Sequence, residues 1–186
     1  PYLRDLPARF GIPALYVSHD IEEVTALASR MLVLKGGSMV ACGPIGRVMQ
    51  TLDLGPLMAD GTAGSVIEAT FAGHDEARGV TRLHFGQHSL SLPLDMRLVE
   101  GQRVRLFVDA SDVALATVRP HGISIRNILP GRVSAIVAAD GGPHMDVLVE
   151  TGPAMLRARI TRAAVEELGL AEGSEVFALV KTMSFA

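Results

Sequence analysis

Leu98-Val99-Glu100-Gly101-Gln102-Arg103-Val104 and Leu170-Ala171-Glu172-Gly173-Ser174-Glu175-Val176 are two versions of one phrase, each leading into an apolar strand that runs to Val108 or Val180. The strands in front of them repeat as well. The first set reads Ser65–Phe71, Val80–Phe85, His88–Leu92 and Arg103–Asp109. The second reads Gly131–Val137, Met145–Val149, Met155–Arg159 and Glu175–Lys181. Short runs that alternate apolar and polar residues expose one face and bury the other, as half-buried strands do. Asp140-Gly141-Gly142 supplies a turn between two of them. A repeated set of four strands indicates an internal duplication. Small barrels of about five such strands are oligonucleotide/oligosaccharide-binding-like folds. The predicted class is therefore mainly β, with tandem OB-like barrels after an α/β segment.

That segment centres on Leu15-Tyr16-Val17-Ser18-His19-Asp20, followed by the amphipathic stretch Ile21 to Ala28. Ala14–Val17 is apolar on both faces, so it is predicted as a strand inside a parallel sheet covered on both sides. Only one helix-sized segment, Pro1 to Phe10, and a Gly11-Ile12-Pro13 turn precede it. One helix cannot give such a strand its cover, which implies a domain whose first part lies outside this sequence. Residues 51–63 carry Pro and Gly without periodicity. The expected organisation is an α/β remnant over 1–55, a linker at 56–63, a first barrel half at 64–120 and a second at 121–186.

Composition removes several classes. With 17 Lys and Arg against 20 Asp and Glu, the net charge of −3 offers no basic footprint for nucleic acid. The single cysteine, Cys42, cannot form an internal disulfide, which suits a reducing compartment. No apolar run approaches the ~18 residues of a membrane-spanning helix.

The residues of 12–50 resemble the end of an ATP-binding cassette (ABC) ATPase. The match rests on Tyr16-Val17-Ser18-His19-Asp20, on Glu22 and Glu23, on Ala28 to Gly37, and on Ala41-Cys42-Gly43-Pro44-Ile45. The resemblance implies that His19 is the switch histidine that contacts the γ-phosphate of ATP, with Mg as the companion ion. Imidazole suits that work because it donates to phosphate near neutral pH. The sequence holds no G-x-x-x-x-G-K-[ST] phosphate cradle, so this chain by itself is expected not to hydrolyse ATP.

Between the two strand sets sits Ser124-Ile125-Arg126-Asn127-Ile128-Leu129-Pro130-Gly131. It resembles the S-x-R-N-x-L-x-G opening of molybdate-binding (Mop, or TOBE) domains, and the likeness continues through Ala158-Arg159-Ile160-Thr161 to Val180-Lys181-Thr182. Together the two likenesses describe the ATPase subunit of a molybdate importer, truncated at its N-terminus. They imply an oxyanion site for molybdate or tungstate built from Ser124, Arg126, Asn127, Thr161, Lys181 and Thr182. They further imply a homodimer, permease subunits in the membrane, a periplasmic or surface molybdate-binding protein, and a peripheral place on the cytoplasmic face of the cell membrane. Relatives often carry a serine three residues after the threonine matched by Thr161; Ala164 stands there here.

The residue chemistry agrees independently. A tetrahedral dianion needs donors and positive potential; Arg126 offers a planar fork, Lys181 a point charge and Ser124 a hydroxyl. Thr161 is placed as an N-cap before Arg162–Leu168, with Gly169 as the stop, and backbone N–H groups there would add donors. In the first copy Asp109 takes the place of Lys181 and no S-x-R-N precedes it, so that copy is expected to be structural. The alternative left open is an importer subunit for a sugar, polyamine or sulfate whose barrels are purely structural. His84 and His88 flank a hairpin turn rather than share a helix face, His121 and His144 lie by turns facing water, and no metal site is expected.

Overall fold

The computed structural model describes residues 10–19, 21–50, 63–139, 142–152, 154–181 and 183–185. Among them, helix α1 (Ile21–Leu27) leads into a hairpin of β1 (Arg30–Lys35) and β2 (Ser38–Pro44), then helix α2 (Ile45–Gln50). The first strand set follows as β3 (Gly64–Asp75), β4 (Val80–Phe85), β5 (His88–Pro93) and β6 (Arg103–Asp109), with a short β7 (Val113–Ala116). The second comprises β8 (Asn127–Ala138), β9 (His144–Glu150), β10 (Met155–Thr161), helix α3 (Arg162–Glu167), β11 (Glu175–Val180) and a two-residue β12 (Ser184–Phe185). The fold is mainly β, with the two five-stranded sheets curled into half-barrels.

The eight anticipated strands all form. What the alternation did not reveal is how the sheets trade ends. One sheet has the order β10-β9-β8-β11-β7, the other β12-β6-β3-β4-β5, so each takes its last strand from the opposite copy. Val113–Ala116 pairs with β11, and Ser184–Phe185 pairs with β6. A cut at residue 120 therefore does not part the two sheets. The inward faces of both sheets, including Leu83, Leu90, Leu106, Leu129, Val147, Leu156 and Val176, merge into one buried cluster. Alternation is the cause: β4 buries Thr81, Leu83 and Phe85 and leaves Arg82 and His84 outside.

The duplication is visible in hydrogen bonds as well as in sequence. Phe71 N–H donates to Gln102 O at 2.8 Å, and Val133 N–H donates to Ser174 O at 2.9 Å. The bulge between Phe71 and Gly73 on β3 recurs between Val133 and Ala135 on β8. By register, Ser65 matches Asn127 and Ser91 matches Arg157; counting on past the ladder ends aligns Gly64 with Arg126, Asp109 with Lys181 and Asp95 with Thr161.

The N-terminal elements pack on the outside of the first sheet. Met31, Ile45, Val48 and Met49 bury themselves against Val66 and Phe107, which pair across β3 and β6 and point away from the main core. Arg105 fastens the junction by donating to the Ala28 carbonyl at 2.8 Å. The expected strand Ala14–Val17 is absent: residues 11–18 are irregular, with Leu15 95% and Val17 87% exposed. A strand apolar on both faces needs neighbours on both edges, and the described residues provide none. Apart from Phe10 the predicted helix 1–10 lies outside the described residues, as does the predicted linker apart from Ala63.

Candidate functional site

The residues predicted for an oxyanion site fall at the two ends of the second sheet. Asn127 pairs with Val180, so Arg126 and Lys181 are the next residues on neighbouring antiparallel strands. Each lies one residue beyond the last pair of the β8–β11 ladder, and both are exposed. Arg126 holds its fork by donating from Nη2 to Ile123 O at 2.6 Å, and Ser124 lies exposed just upstream. Lys181 is anchored through its backbone, whose N–H donates to Asp112 O at 3.1 Å. Both cationic residues thus adjoin the paired ends of β8 and β11, one just before Asn127 and the other just after Val180.

Asn127 does something else. It is buried, its Oδ1 accepts from Ser91 N–H at 2.7 Å, and its Nδ2 donates to Ser91 O at 3.0 Å. Its amide thus reads both backbone groups of a β5 residue in the other copy. The register-equivalent residue Ser65 makes the reciprocal contact, accepting from Arg157 N–H at 2.8 Å. These two clasps join the half-barrels, and no sequence motif announced the second one.

Thr161 is exposed and sits at the far end. Its Oγ1 accepts from Ala164 N–H at 3.1 Å and caps α3. Gly169, with φ +61°, takes the left-handed turn that ends the helix. Thr161 pairs with His144 at the start of β9, beside the last residues of β8. Arg126 precedes the first residue of that 12-residue strand. A strand of that length spans roughly 35–40 Å at about 3.3 Å per residue. Arg126 and Lys181 of one chain therefore lie remote from Thr161 of the same chain along the sheet. Thr182 lies outside the described residues.

A largely buried charged cluster that the motifs did not flag lies on β9 and β10 near Thr161. Asp146 accepts from Arg159 Nε at 2.8 Å and Nη2 at 3.0 Å, and from Arg157 Nη1 at 3.5 Å. Asp146 and Arg157 are each 2% exposed. Burial lowers the Arg157 pKa from its ordinary value, with Asp146 opposing the shift. The only hint in the sequence is the i, i+2 spacing of the two arginines on one strand face.

At the other end of the chain, His19 is exposed at a bend before α1. Glu23 ties that bend together, accepting from Tyr16 Oη at 2.7 Å and Ser18 Oγ at 3.0 Å. The described residues offer a nucleotide one imidazole and no phosphate cradle, so no step through ATP or Mg follows from them. Among the described residues no group of three or more His, Cys, Asp or Glu could hold a metal, and no helix is long and apolar enough to cross a membrane.

The TOBE-domain family model matches residues 123–185, the second strand set and the segment that leads into it. Along almost its whole length the chain is similar to about half of ModC, the molybdenum import ATP-binding proteins. It is 46% identical over 182 residues to the ModC of Aromatoleum aromaticum, covering 97% of this chain and 47% of that protein. Against the ModC of Mesorhizobium japonicum it is 40% identical over 185 residues, with 100% and 50% covered. The chain thus spans about half the length of the curated relatives it matches. In three dimensions it is similar to ModG, a cytoplasmic molybdate-binding protein crystallised with molybdate bound. That likeness has a TM-score of 0.56 and 25% identity, over 66% of this chain and 94% of the other.

Proposed function

We propose that this chain is the C-terminal part of the ATP-hydrolysing subunit of a molybdate importer, and that its second copy binds molybdate or tungstate to regulate transport. The observation that carries the proposal is the adjacent, exposed pair of Arg126 and Lys181 on a fold shared with a molybdate-bound protein. A charge-assisted hydrogen bond contributes roughly 1.5–3 kcal/mol. Three or four of them, reduced by desolvation, suffice for micromolar affinity, about −8 kcal/mol.

The site is completed by a second chain. Arg126, Lys181 and Ser124 of one protomer meet Thr161 of its partner, because the two sets occupy opposite ends of one sheet. Asn127 supports Arg126 from below through its clasp on Ser91, and Thr182 follows Lys181 as a further candidate donor. In the assembled importer, ATP with Mg binds to the ATPase core, His19 contacts the γ-phosphate, and permease subunits hold the protein on the cytoplasmic face of the membrane. A periplasmic or surface protein delivers the molybdate. Regulation follows from linkage: an anion that binds only the paired C-terminal domains favours that pairing, and closure of the ATPase halves weakens anion binding in return.

Calorimetric titration with molybdate, tungstate and sulfate tests this reading. Arg126→Ala and Lys181→Ala are each expected to weaken molybdate binding by about 1.5–3 kcal/mol, and sedimentation should show molybdate favouring a dimer. Equal affinity in wild type and both variants would leave the barrels purely structural.

A further inference from the structure

His144 faces Thr161 directly across the β9–β10 ladder, and both residues are exposed. Side chains of directly opposed antiparallel residues share one face, with Cβ atoms roughly 4.5–5.5 Å apart. The imidazole and the hydroxyl therefore reach into the same space. That space lies at the Thr161 end of the sheet, the end assigned above to the partner's half of the oxyanion site.

Among the described residues, the charged groups around His144 come from β9, β10 and α3. On the same face of β9 stands Asp146, but both its oxygens accept from arginines: Oδ1 from Arg159 Nε, Oδ2 from Arg159 Nη2 and Arg157 Nη1. From β10 the facing groups are Thr161 and, one pair along, Arg159. Helix α3, which packs on β9 and β10, brings Arg162, whose backbone N–H donates to Pro143 O at 2.9 Å. Its carboxylates, Glu166 and Glu167, sit at the opposite end of the helix from Thr161 and are exposed. From β8 the neighbours are Ala138 and Ala139, and Ala139 N–H donates to His144 O at 3.0 Å.

We propose that His144 is a ligand of the oxyanion beside Thr161, donating a charge-assisted hydrogen bond when protonated and making anion affinity depend on pH across the neutral range. The proposal rests on the oxyanion reading of Arg126, Lys181 and Thr161. A histidine is the side chain whose ordinary titration falls in that range. A bound dianion favours the imidazolium, so protons and anion bind with positive coupling, and each raises the affinity of the other.

The test is calorimetric titration of molybdate into the full chain at pH 6.5 and pH 8.5, where molybdate stays a dianion, for wild type, His144→Gln and Arg126→Ala. Wild type is expected to bind about tenfold more tightly at the lower pH, the ratio one charged hydrogen bond provides. His144→Gln should bind equally at both pH values, at the wild-type affinity of pH 8.5. Arg126→Ala should bind weakly at both yet keep the pH ratio. Proton NMR of the His144 ring should show its titration midpoint moving to higher pH when molybdate is added, and a midpoint that stays put counts against the contact. A pH ratio that survives in His144→Gln, or is missing from wild type that binds well, overturns the role of His144 and leaves the oxyanion site standing. Wild type that binds no molybdate at either pH removes the site and this residue's role with it.

Discussion

At the end of β8, Arg126 stands exposed beside Lys181; at the same end of β3, Gly64 stands buried beside Asp109. At the close of the third strand of each set the second copy has Thr161 capping a helix, while the first has Asp95 in a helix-free turn. The backbone ladders around these positions coincide, bulges included. What differs is what each outer surface is for. The first copy's outer face is covered by α1, the β1–β2 hairpin and α2, through Val66 and Phe107. The second copy's strand end is left to solvent with its charges presented. A duplicated scaffold keeps the hydrogen bonds that define the barrels in both halves while the side chains at matching strand ends diverge.

The strongest way to break this comparison is to write the second copy's arginine into the first. A Cβ on Gly64 would press on the Phe107 ring and stand 2.6 Å from the Val108 carbonyl. Gly64→Arg is therefore expected to destabilise the fold by more than about 3 kcal/mol, the upper range for overpacking a filled site. Urea unfolding measures it. A well-folded Gly64→Arg protein that also binds a second anion would show that packing does not silence the first copy.

The next largest effect concerns the clasps. Asn127→Ala removes two hydrogen bonds and strands both backbone groups of Ser91, which should cost about 2–3 kcal/mol. Ser65→Ala strands a single N–H, that of Arg157, and should cost about 1 kcal/mol. Asn127→Ser, which gives the second copy the first copy's shorter clasp, should fall between them. Unfolding midpoints of the three variants provide the order, and equal losses for Asn127→Ala and Ser65→Ala would contradict the asymmetry.

Much of this comparison was legible in the sequence. The E-G-x-x-V phrase and the period-two alternation located all eight principal strands, because each buries one face against a shared core. The pairing of Asp109 with Lys181 could likewise be read from alignment of the two phrases, and the register bears it out. The exchange of β7 and β12 could not be read, since strands of four and two residues carry too few alternations to register against noise. Ala14–Val17 misled for the opposite reason: its pattern is strong, but a strand exists only where other strands accept it. Asn127 was read as a ligand from its motif. Its amide instead joins the two half-barrels, a use that depends on a residue 36 positions away. The opposition of His144 and Thr161 was hidden because it depends on strand register across a turn, not on spacing within a strand.

The smallest expected effect separates the two capping positions by pH. Asp95 accepts from Arg97 N–H at 3.0 Å, Nε at 2.8 Å and Nη2 at 2.7 Å, and its own N–H donates to Thr81 Oγ1 at 2.9 Å. The Arg97 side chain, then its backbone N–H, hold the Asp95 carboxyl down at about 2 from an ordinary 3.8. A carboxylate with a lower pKa folded than unfolded stabilises the fold above its unfolded pKa, and that stabilisation fades as pH falls through the folded value. Arg97 is exposed although Asp95 is mostly covered, so the contribution of the pair is small and screened by salt. Asp95→Asn should therefore lower the urea midpoint slightly at neutral pH, and the difference from wild type should shrink as pH falls from about 4 to about 2. It should shrink as well when salt is raised at neutral pH. Thr161→Val, at the matching place in the second copy, removes a cap with no carboxylate, and its cost should be the same throughout that acid range. If the two variants showed the same acid dependence, the charge difference between the copies would not be what distinguishes their turns.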